Sequence, residues 1–130
     1  EFMQKTLSLV ATVAVFAFIS IGYANAADVK KGKRVFNKCK ACHTLVADKH
    51  RIGPSLHGIF GRTAGTAAKY KFSKPMTKAG ADGLVWTEKT LTEYLTKPRS
   101  FIKGTKMTFA GIKKARDMEN LLAFLKEAAK

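Results

Sequence analysis

The sequence predicts a small helical domain, with helices near both ends and a loop-rich centre. Apolar residues recur every three or four positions near each end of the chain, which is the period of a helix with one buried face. From Thr44 to Trp86 the sequence contains six glycines and two prolines and follows no regular period. Because so long a stretch without regular structure is unusual inside a compact domain, we expect a large apolar cofactor to complete the core.

The start of the chain predicts a secretory signal peptide over residues 3–26. Lys5 precedes an uncharged apolar run over residues 7–21, and Ala24-Asn25-Ala26 follows it. Small residues in these positions favour cleavage between Ala26 and Ala27. The alternative is a retained membrane anchor, although the run is at the lower limit of a spanning helix.

The positive charge of the chain belongs to the exported domain, which is predicted at residues 27–130. Residues 1–2 precede the first methionine and are interpreted as a cloning scar. The chain has 24 Lys and Arg against 9 Asp and Glu, a formal net charge of +15, and the first 26 residues contain one acid and one base. Such a charge predicts nucleic acid, a membrane surface or an acidic protein as partner, and export disfavours nucleic acid. A hydrophobic content of 46% excludes a disordered basic tail.

The first helix of the domain is predicted to begin after Asp28 and to run up to Cys39. Asp28 is a favourable N-cap residue. The apolar stripe that follows contains Val29, Gly32, Val35 and Phe36. Since glycine lowers helix stability, its place in this stripe predicts the close approach of another helix.

Two further helices are predicted in the second half of the chain. One is capped by Thr87, carries Leu91, Tyr94 and Leu95, and ends before Pro98. The other lies near the end of the chain, and its stripe contains Met118, Leu121, Leu122 and Leu125. The first and last helices must bury their stripes, and crossing each other is the simplest way to do so.

The motif Cys39-Lys40-Ala41-Cys42-His43 is the attachment signature of c-type haem. Two thiols on one helical turn can add to two vinyl groups, and the histidine that follows then faces the iron. A thioredoxin-like redox pair is an alternative, but it normally follows a strand in a βαβ unit. A zinc site needs further ligands, which His50 and His57 are not spaced to provide. An ordinary disulfide is compatible with export.

The chain resembles the class I cytochromes c, especially bacterial cytochrome c2 and its mitochondrial-like relatives. The matching stretches are GKRVF (32–36), CKACH (39–43), GPSLHGIFGR (53–62), LVW (84–86), LTKP (95–98) and GTKMTFAG (104–111). The resemblance covers essentially all of residues 27–130. It implies a small all-α fold wrapped around one haem c, which is attached through Cys39 and Cys42. The terminal helices are expected to cross with Gly32 and Phe36 against Leu121 and Phe124.

The resemblance selects His43 and Met107 as the two ligands of the iron. The other candidates are Met76, Met118, His50 and His57. Met118 belongs to a helical stripe, and the histidines are interpreted as structural or surface residues, whereas spacing alone does not reject Met76. A thioether ligand favours ferrous iron and predicts a high reduction potential. Six-coordinate iron leaves no open position, which favours a carrier over an enzyme.

The resemblance also implies contacts around the haem. Pro54 is expected to accept the second ring N–H of His43, and Tyr94 to hydrogen-bond the sulfur of Met107. Trp86 and Arg62 are expected to bind the propionates, because buried carboxylates need partners. Phe109 is expected to cover the haem edge. For Tyr94 and Phe109, packing in the core is an equal alternative.

Three positions depart from the family pattern. Phe72 stands where many relatives have a propionate-binding tyrosine, and Tyr70 lies two residues before it. Lys103 stands where a proline commonly precedes the glycine of the ligand loop. The loop over residues 75–83 is longer than in the short mitochondrial form.

Seven basic residues flank the haem-attachment and ligand-loop segments and are expected to ring the exposed haem edge: Lys38, Lys40, Arg99, Lys103, Lys106, Lys113 and Lys114. Such a ring favours docking on acidic redox proteins. The resemblance implies a monomeric periplasmic one-electron carrier whose partners are membrane complexes, such as a bc1-type complex, an oxidase or a reaction centre, or dehydrogenases. Nucleic acid is not expected as a partner, and membrane contact is expected to be peripheral. The alternatives are a haem enzyme with a labile sixth ligand, such as a weak peroxidase, and a membrane-anchored haem subunit.

Overall fold

The computed structural model describes residues 26–130, so the predicted signal peptide lies outside the described residues apart from Ala26. Five helices follow one another along this part of the chain: α1 (Val29–Phe36), α2 (Lys74–Ala81), α3 (Glu88–Thr96), α4 (Pro98–Phe101) and α5 (Ala115–Ala128). Within residues 26–130 the only extended pairing is an isolated bridge between Thr63 and Val85. The predicted all-α fold is confirmed.

Helices α1 and α5 cross in direct contact, as the two terminal stripes predict. A Cβ atom added to Gly32 would collide with the backbone carbonyl of Asn120 and would lie 2.8 Å from Cβ of Phe124. The rings of Phe36 and Phe124 pack with their centroids 5.3 Å apart. Gly32 therefore lets the two helices approach more closely than any side chain would allow.

The predicted caps are present, and one of them links the two terminal helices. Asp28 accepts a hydrogen bond from the N–H of Lys31 at 2.9 Å, while its own N–H donates to Oδ1 of Asn120 in α5 at 2.7 Å. Thr87 and Thr90 form a reciprocal capping box at the start of α3. Local side-chain caps thus set where α1 and α3 begin.

The first helix ends earlier than predicted. It stops at Phe36, and residues 37–42 continue as turns, in which the N–H groups of Lys38 and Cys39 bond three residues back, to Val35 at 3.1 Å and Phe36 at 2.8 Å. These short-range bonds tighten the chain after the last helical turn. The haem-attachment motif therefore begins in a turn and not in the helix.

Helix α2 contradicts the expectation of a loop over residues 75–83. Ser73 caps it by accepting from the N–H of Met76 at 3.3 Å, and Pro75 occupies its first turn, where a proline loses no hydrogen bond. A Cβ on Gly80 would collide with the carbonyl of Ala64, so the helix lies against that segment. Two turns are too short to display a clear apolar period, which is why the pattern did not reveal the helix.

Helix α3 ends at Thr96, in agreement with the expected stop before Pro98. Pro98 then opens the short helix α4, which the sequence did not predict. The buried core joins residues of α1, α3 and α5 to Ile59, Trp86 and Ile102 from the connecting segments. Among residues 26–130, no helix combines the length and hydropathy that crossing a bilayer requires.

Candidate haem-binding site

A cavity of about 680 Å³ lies inside the helical frame, next to the crossing of α1 and α5. Nine residues that the sequence assigned to the haem line it: Cys39, Cys42, His43, Pro54, Arg62, Trp86, Tyr94, Met107 and Phe109. Phe36 of α1 and two leucines of α5, Leu121 and Leu125, also line it. The volume lies within the range of sites for cofactors and other small molecules.

The two cysteines lie in consecutive turns after α1, and both thiols are free. The N–H groups of Cys42 and His43 bond back to the carbonyl of Cys39 at 3.1 and 2.9 Å, so the motif forms one compact turn. Burial raises the pKa of the Cys39 thiol to about 11, although nearby Lys38 acts in the opposite direction. A thioredoxin-type attacking cysteine needs a lowered pKa, so this thiol does not fit that alternative.

His43 is oriented by two neighbouring residues. Its Nδ1 lies 2.7 Å from the carbonyl of Pro54, the hydrogen bond that the resemblance implied, and Nδ1–H donation leaves the lone pair on Nε2. A Cβ on Gly53 would lie 2.8 Å from Nδ1 and 2.9 Å from Nε2, so only glycine leaves room for the ring. Burial, opposed by the Pro54 bond, lowers the pKa of His43 and favours the neutral imidazole, the form that binds metals.

Met107 lies in a loop over residues 104–111, which we call the Met107 loop. Its N–H lies 3.4 Å from Oγ1 of Thr105, and the same hydroxyl lies 2.7 Å from the hydroxyl of Tyr94 in α3. Tyr94 thus contacts the loop two residues before the methionine whose sulfur it was expected to bond. Burial raises the pKa of Tyr94.

Of the two other candidate methionines, only one lines the cavity. Met118 is 5% exposed in the core cluster and does not line the cavity, as its helical stripe predicted. Met76 does line the cavity, from the first turn of α2. The cavity therefore holds two thioethers, Met76 and Met107, and the resemblance alone favours Met107.

Arg62 brings a positive charge to the cavity wall. Its guanidinium donates to the carbonyls of Ser55 and His57 at 3.2 Å, and within residues 26–130 it forms no ion pair. Burial lowers its pKa, because the charged form loses hydration. Trp86, 5% exposed, lines the same cavity. This part of the wall suits an anionic group.

Tyr70 and Phe72 form an aromatic wall that the sequence identified only as a departure from the family pattern. Their rings pack edge to face with centroids 4.7 Å apart, and both line the cavity. The Tyr70 hydroxyl donates to the carbonyl of Ile52 at 2.7 Å. That bond joins two segments that both follow the haem-attachment motif and lie 18 residues apart in the chain, so no local sequence pattern indicates it.

The two other histidines have the structural and surface places expected of them. Nε2 of His50 lies 2.7 Å from the carbonyl of Ala68, and its Nδ1 accepts from the N–H of Ser55 at 2.9 Å. Both ring nitrogens of His50 are therefore used within the protein. His57 is exposed at the surface. Within residues 26–130 no group of three His, Cys, Asp or Glu side chains is arranged to hold a metal ion.

The seven basic residues assigned to docking are all exposed. Ion pairs in the described part of the chain involve none of them. Lys38 and Lys106 line the cavity, and the ammonium of Lys106 also donates to the carbonyl of Lys71 at 2.9 Å. Lys113 differs from the others because its ammonium contacts two carbonyls, those of Thr96 and Ala110, both at 3.1 Å.

Comparison with known proteins decides the family. The family model described as Cytochrome c matches residues 29–129. The chain belongs to the cytochrome c family. It is 46% identical over 99 residues to cytochrome c2 of Afifella marina, which covers 75% of this chain and 80% of the relative. Identity is 50% over 91 residues to cytochrome c2 iso-2 of Magnetospirillum fulvum, covering 70% and 92%. Cytochrome c of Arabidopsis thaliana is 44% identical over 105 residues, covering 79% and 91%.

Membership of the cytochrome c family makes this chain a haem-based electron carrier, with haem c bound covalently through the cysteines of the Cys39–His43 motif. The residues present fit that group. Two free thiols and the imidazole of His43, whose pKa is lowered by burial, line one apolar cavity, and Arg62 supplies a charge that suits a carboxylate. When bound, haem c supplies a one-electron iron couple, and the protein contributes its ligands and its apolar surroundings.

Proposed function

We propose that this cytochrome is a soluble periplasmic one-electron carrier, and not an enzyme, whose iron is held between His43 and Met107. The observation that carries the proposal is the hydrogen bond of 2.7 Å from His43 to Pro54 at the wall of a cavity that Met107 also lines. A ligating histidine normally donates its other ring N–H in this way. With methionine as the second ligand, the iron has no open position for a substrate.

The residues of the site then have separate tasks. Burial lowers the pKa of His43 and so favours its neutral form, and donation of its Nδ1–H to Pro54 fixes the tautomer that leaves Nε2 free. Arg62 and Trp86 bind the propionates at the polar part of the wall, and Phe109 covers the cofactor edge. The apolar cavity keeps water away from the iron, which together with the thioether favours the ferrous state and a high potential.

Acidic redox proteins are the proposed partners. Seven exposed basic residues flank the motif and the Met107 loop, and within residues 26–130 none of them is neutralised by an ion pair. Electrostatic steering by such a surface accelerates encounter without requiring tight binding. The formal net charge of +15 also disfavours association between two copies of the chain. We therefore propose a monomer that shuttles between membrane complexes, such as a bc1-type complex and an oxidase or reaction centre.

The docking proposal is tested by reversing single charges. We expect Lys40→Glu to slow reduction of the holoprotein by a purified bc1-type complex about fivefold at low ionic strength, and added salt to shrink the difference. Lys130→Glu is the matched control, since it makes the same change of charge at the exposed C-terminal residue, outside the proposed ring. Equal slowing by the two variants would contradict a localised docking surface.

Two further measurements separate the alternatives. A ferric spectrum that is low-spin at neutral pH, with a methionine-to-iron charge-transfer band, supports the carrier. A high-spin spectrum accompanied by oxidation of guaiacol with hydrogen peroxide would favour the peroxidase. An intact mass that begins at Ala27 after export supports the soluble form, whereas retention of residues 3–26 would mean a membrane anchor.

A further inference from the structure

We infer that Lys113 is a positioning residue, which ties the Met107 loop to the end of α3 and so holds Met107 at the iron. The inference rests on the proposed ligation by Met107. Lys113 is one of the seven basic residues that the sequence assigned to docking, and this inference gives it a different role.

The contacts of Lys113 connect two segments that are distant in sequence. Its ammonium donates to the carbonyl of Thr96, the last residue of α3, and to the carbonyl of Ala110 in the Met107 loop, both at 3.1 Å. The N–H of Ile112 adds a third bond, to the carbonyl of Leu95 at 2.8 Å. The last turn of α3 and the end of the loop are therefore joined by one side chain and one backbone bond.

Helix α3 lacks what Lys113 supplies. The last carbonyls of a helix have no partners within the helix and carry a partial negative charge, which a nearby cation stabilises. The last turn of α3 contains no basic residue, and Pro98, two residues beyond its end, has no N–H to donate. The ammonium of Lys113, two residues beyond the Met107 loop, reaches the Thr96 carbonyl and takes that role.

The loop lies directly on the helix at this point. Gly111 has φ +111°, and a Cβ there would collide with the carbonyl of Thr96, so the backbone itself is in contact. At the other end of the loop, Thr105 lies 2.7 Å from the Tyr94 hydroxyl of the same helix. Contacts with α3 thus bracket Met107 on both sides, and loss of the Lys113 bonds leaves only the backbone contacts of Gly111 and Ile112 on one of them.

Lys114 provides a matched control. It is the next residue, it is exposed, and its ammonium has no hydrogen-bond or ion-pair partner among residues 26–130. Lys113→Ala and Lys114→Ala remove the same charge from neighbouring positions. A docking role predicts similar effects of the two changes, whereas a positioning role predicts effects on Met107 from Lys113 alone.

The test measures how readily imidazole displaces the methionine in the ferric holoprotein. We expect Lys113→Ala to raise the apparent association constant of imidazole about tenfold, because a charge-assisted bond that closes the loop is lost. The charge-transfer band of the methionine should weaken in parallel. Lys114→Ala should change the constant less than about twofold, and Lys113→Arg, which keeps a donor cation at the same place, should restore most of the wild-type value.

The outcomes separate this inference from the proposal beneath it. A wild-type protein with the methionine band, together with an unchanged imidazole constant in Lys113→Ala, would overturn the positioning role and leave Met107 as ligand. Equal changes in Lys113→Ala and Lys114→Ala would also overturn it, since the cause would then be overall charge. A wild-type protein without the methionine band would overturn the ligation by Met107, and the positioning role with it.

Discussion

Gly53→Ala tests the proposed histidine ligand through a residue that never touches the iron. A Cβ on Gly53 would lie 2.8 Å from Nδ1 and 2.9 Å from Nε2 of His43, well inside van der Waals contact. The backbone cannot yield easily, because the N–H of Gly53 is bonded to the carbonyl of Cys42 at 2.8 Å. The imidazole ring must therefore move, and its bond of 2.7 Å to Pro54 is strained or lost.

The expected cost is about 3 kcal/mol. Overpacking of a dense site costs about 2 kcal/mol, and loss of the hydrogen bond to Pro54 adds about 1 kcal/mol. For a domain of this size, such a loss lowers Tm by roughly 10–20 °C. Because the ring is also displaced from the orientation that Pro54 imposes, the midpoint potential and the spectrum should change together with the stability.

The measurements are thermal unfolding by circular dichroism, a visible spectrum in both oxidation states and a redox titration. Gly58→Ala is the control: a Cβ there meets nothing within 4 Å, although φ is +67°, so it should cost only about 1–2 kcal/mol of backbone strain. Its spectrum should match wild type. The reasoning is refuted if Gly53→Ala keeps the wild-type Tm and midpoint potential, or if Gly58→Ala alters the spectrum as much.

Two other predictions concern the frame and the Met107 loop. Gly32→Ala should lower the free energy of unfolding by about 2 kcal/mol in guanidinium, because overpacking of α1 against the Asn120 carbonyl outweighs the gain of about 1 kcal/mol in helix propensity. Lys33→Ala, at an exposed position of the same helix, is the control and should be nearly neutral. A Gly32→Ala variant more stable than wild type would contradict the close crossing of α1 and α5. Tyr94→Phe should cost about 1 kcal/mol at pH 7 through the lost bond to Thr105. Because the pKa of Tyr94 is raised in the folded state, its stabilising contribution is present below pH 10 and is lost as pH rises through the folded-state pKa. The difference in free energy of unfolding between wild type and Tyr94→Phe should therefore narrow above pH 10. A difference that stays constant with pH would contradict this prediction.

Features that depend on near neighbours in the chain were predictable. Asp28 and Thr87 cap their helices as expected, because an N-cap needs only its own side chain and an N–H three residues later. The haem-attachment motif was equally readable, since covalent attachment demands both thiols within one turn. Gly32 pointed to the helix crossing because a glycine within an apolar stripe has little other use there.

Features that depend on the path of the chain were missed or misread. Helix α2 was interpreted as a loop. Its two turns are held by the Ser73 cap and by the contact of Gly80 with Ala64, and the second of these contacts cannot be read from neighbouring residues. The wall of Tyr70 and Phe72 depends on a hydrogen bond to Ile52, which lies 18 residues before Tyr70. The contact between the Tyr94 hydroxyl and Thr105 also joins residues 11 positions apart, and no local pattern indicates it.

The sequence by itself determined the chemistry of this protein: two thiols that attach one haem c, the histidine that follows them, and a strongly basic domain around them. The tertiary structure alone decided which lysines are bonded within the protein and which are free for a partner. Lys113 and Lys114 are neighbours with the same side chain, yet the ammonium of one reaches the end of α3 across 17 residues while the other has no protein partner within residues 26–130. The reason is physical: the side-chain type determines which groups a residue can bond, and only the folded chain brings such a group within hydrogen-bond distance.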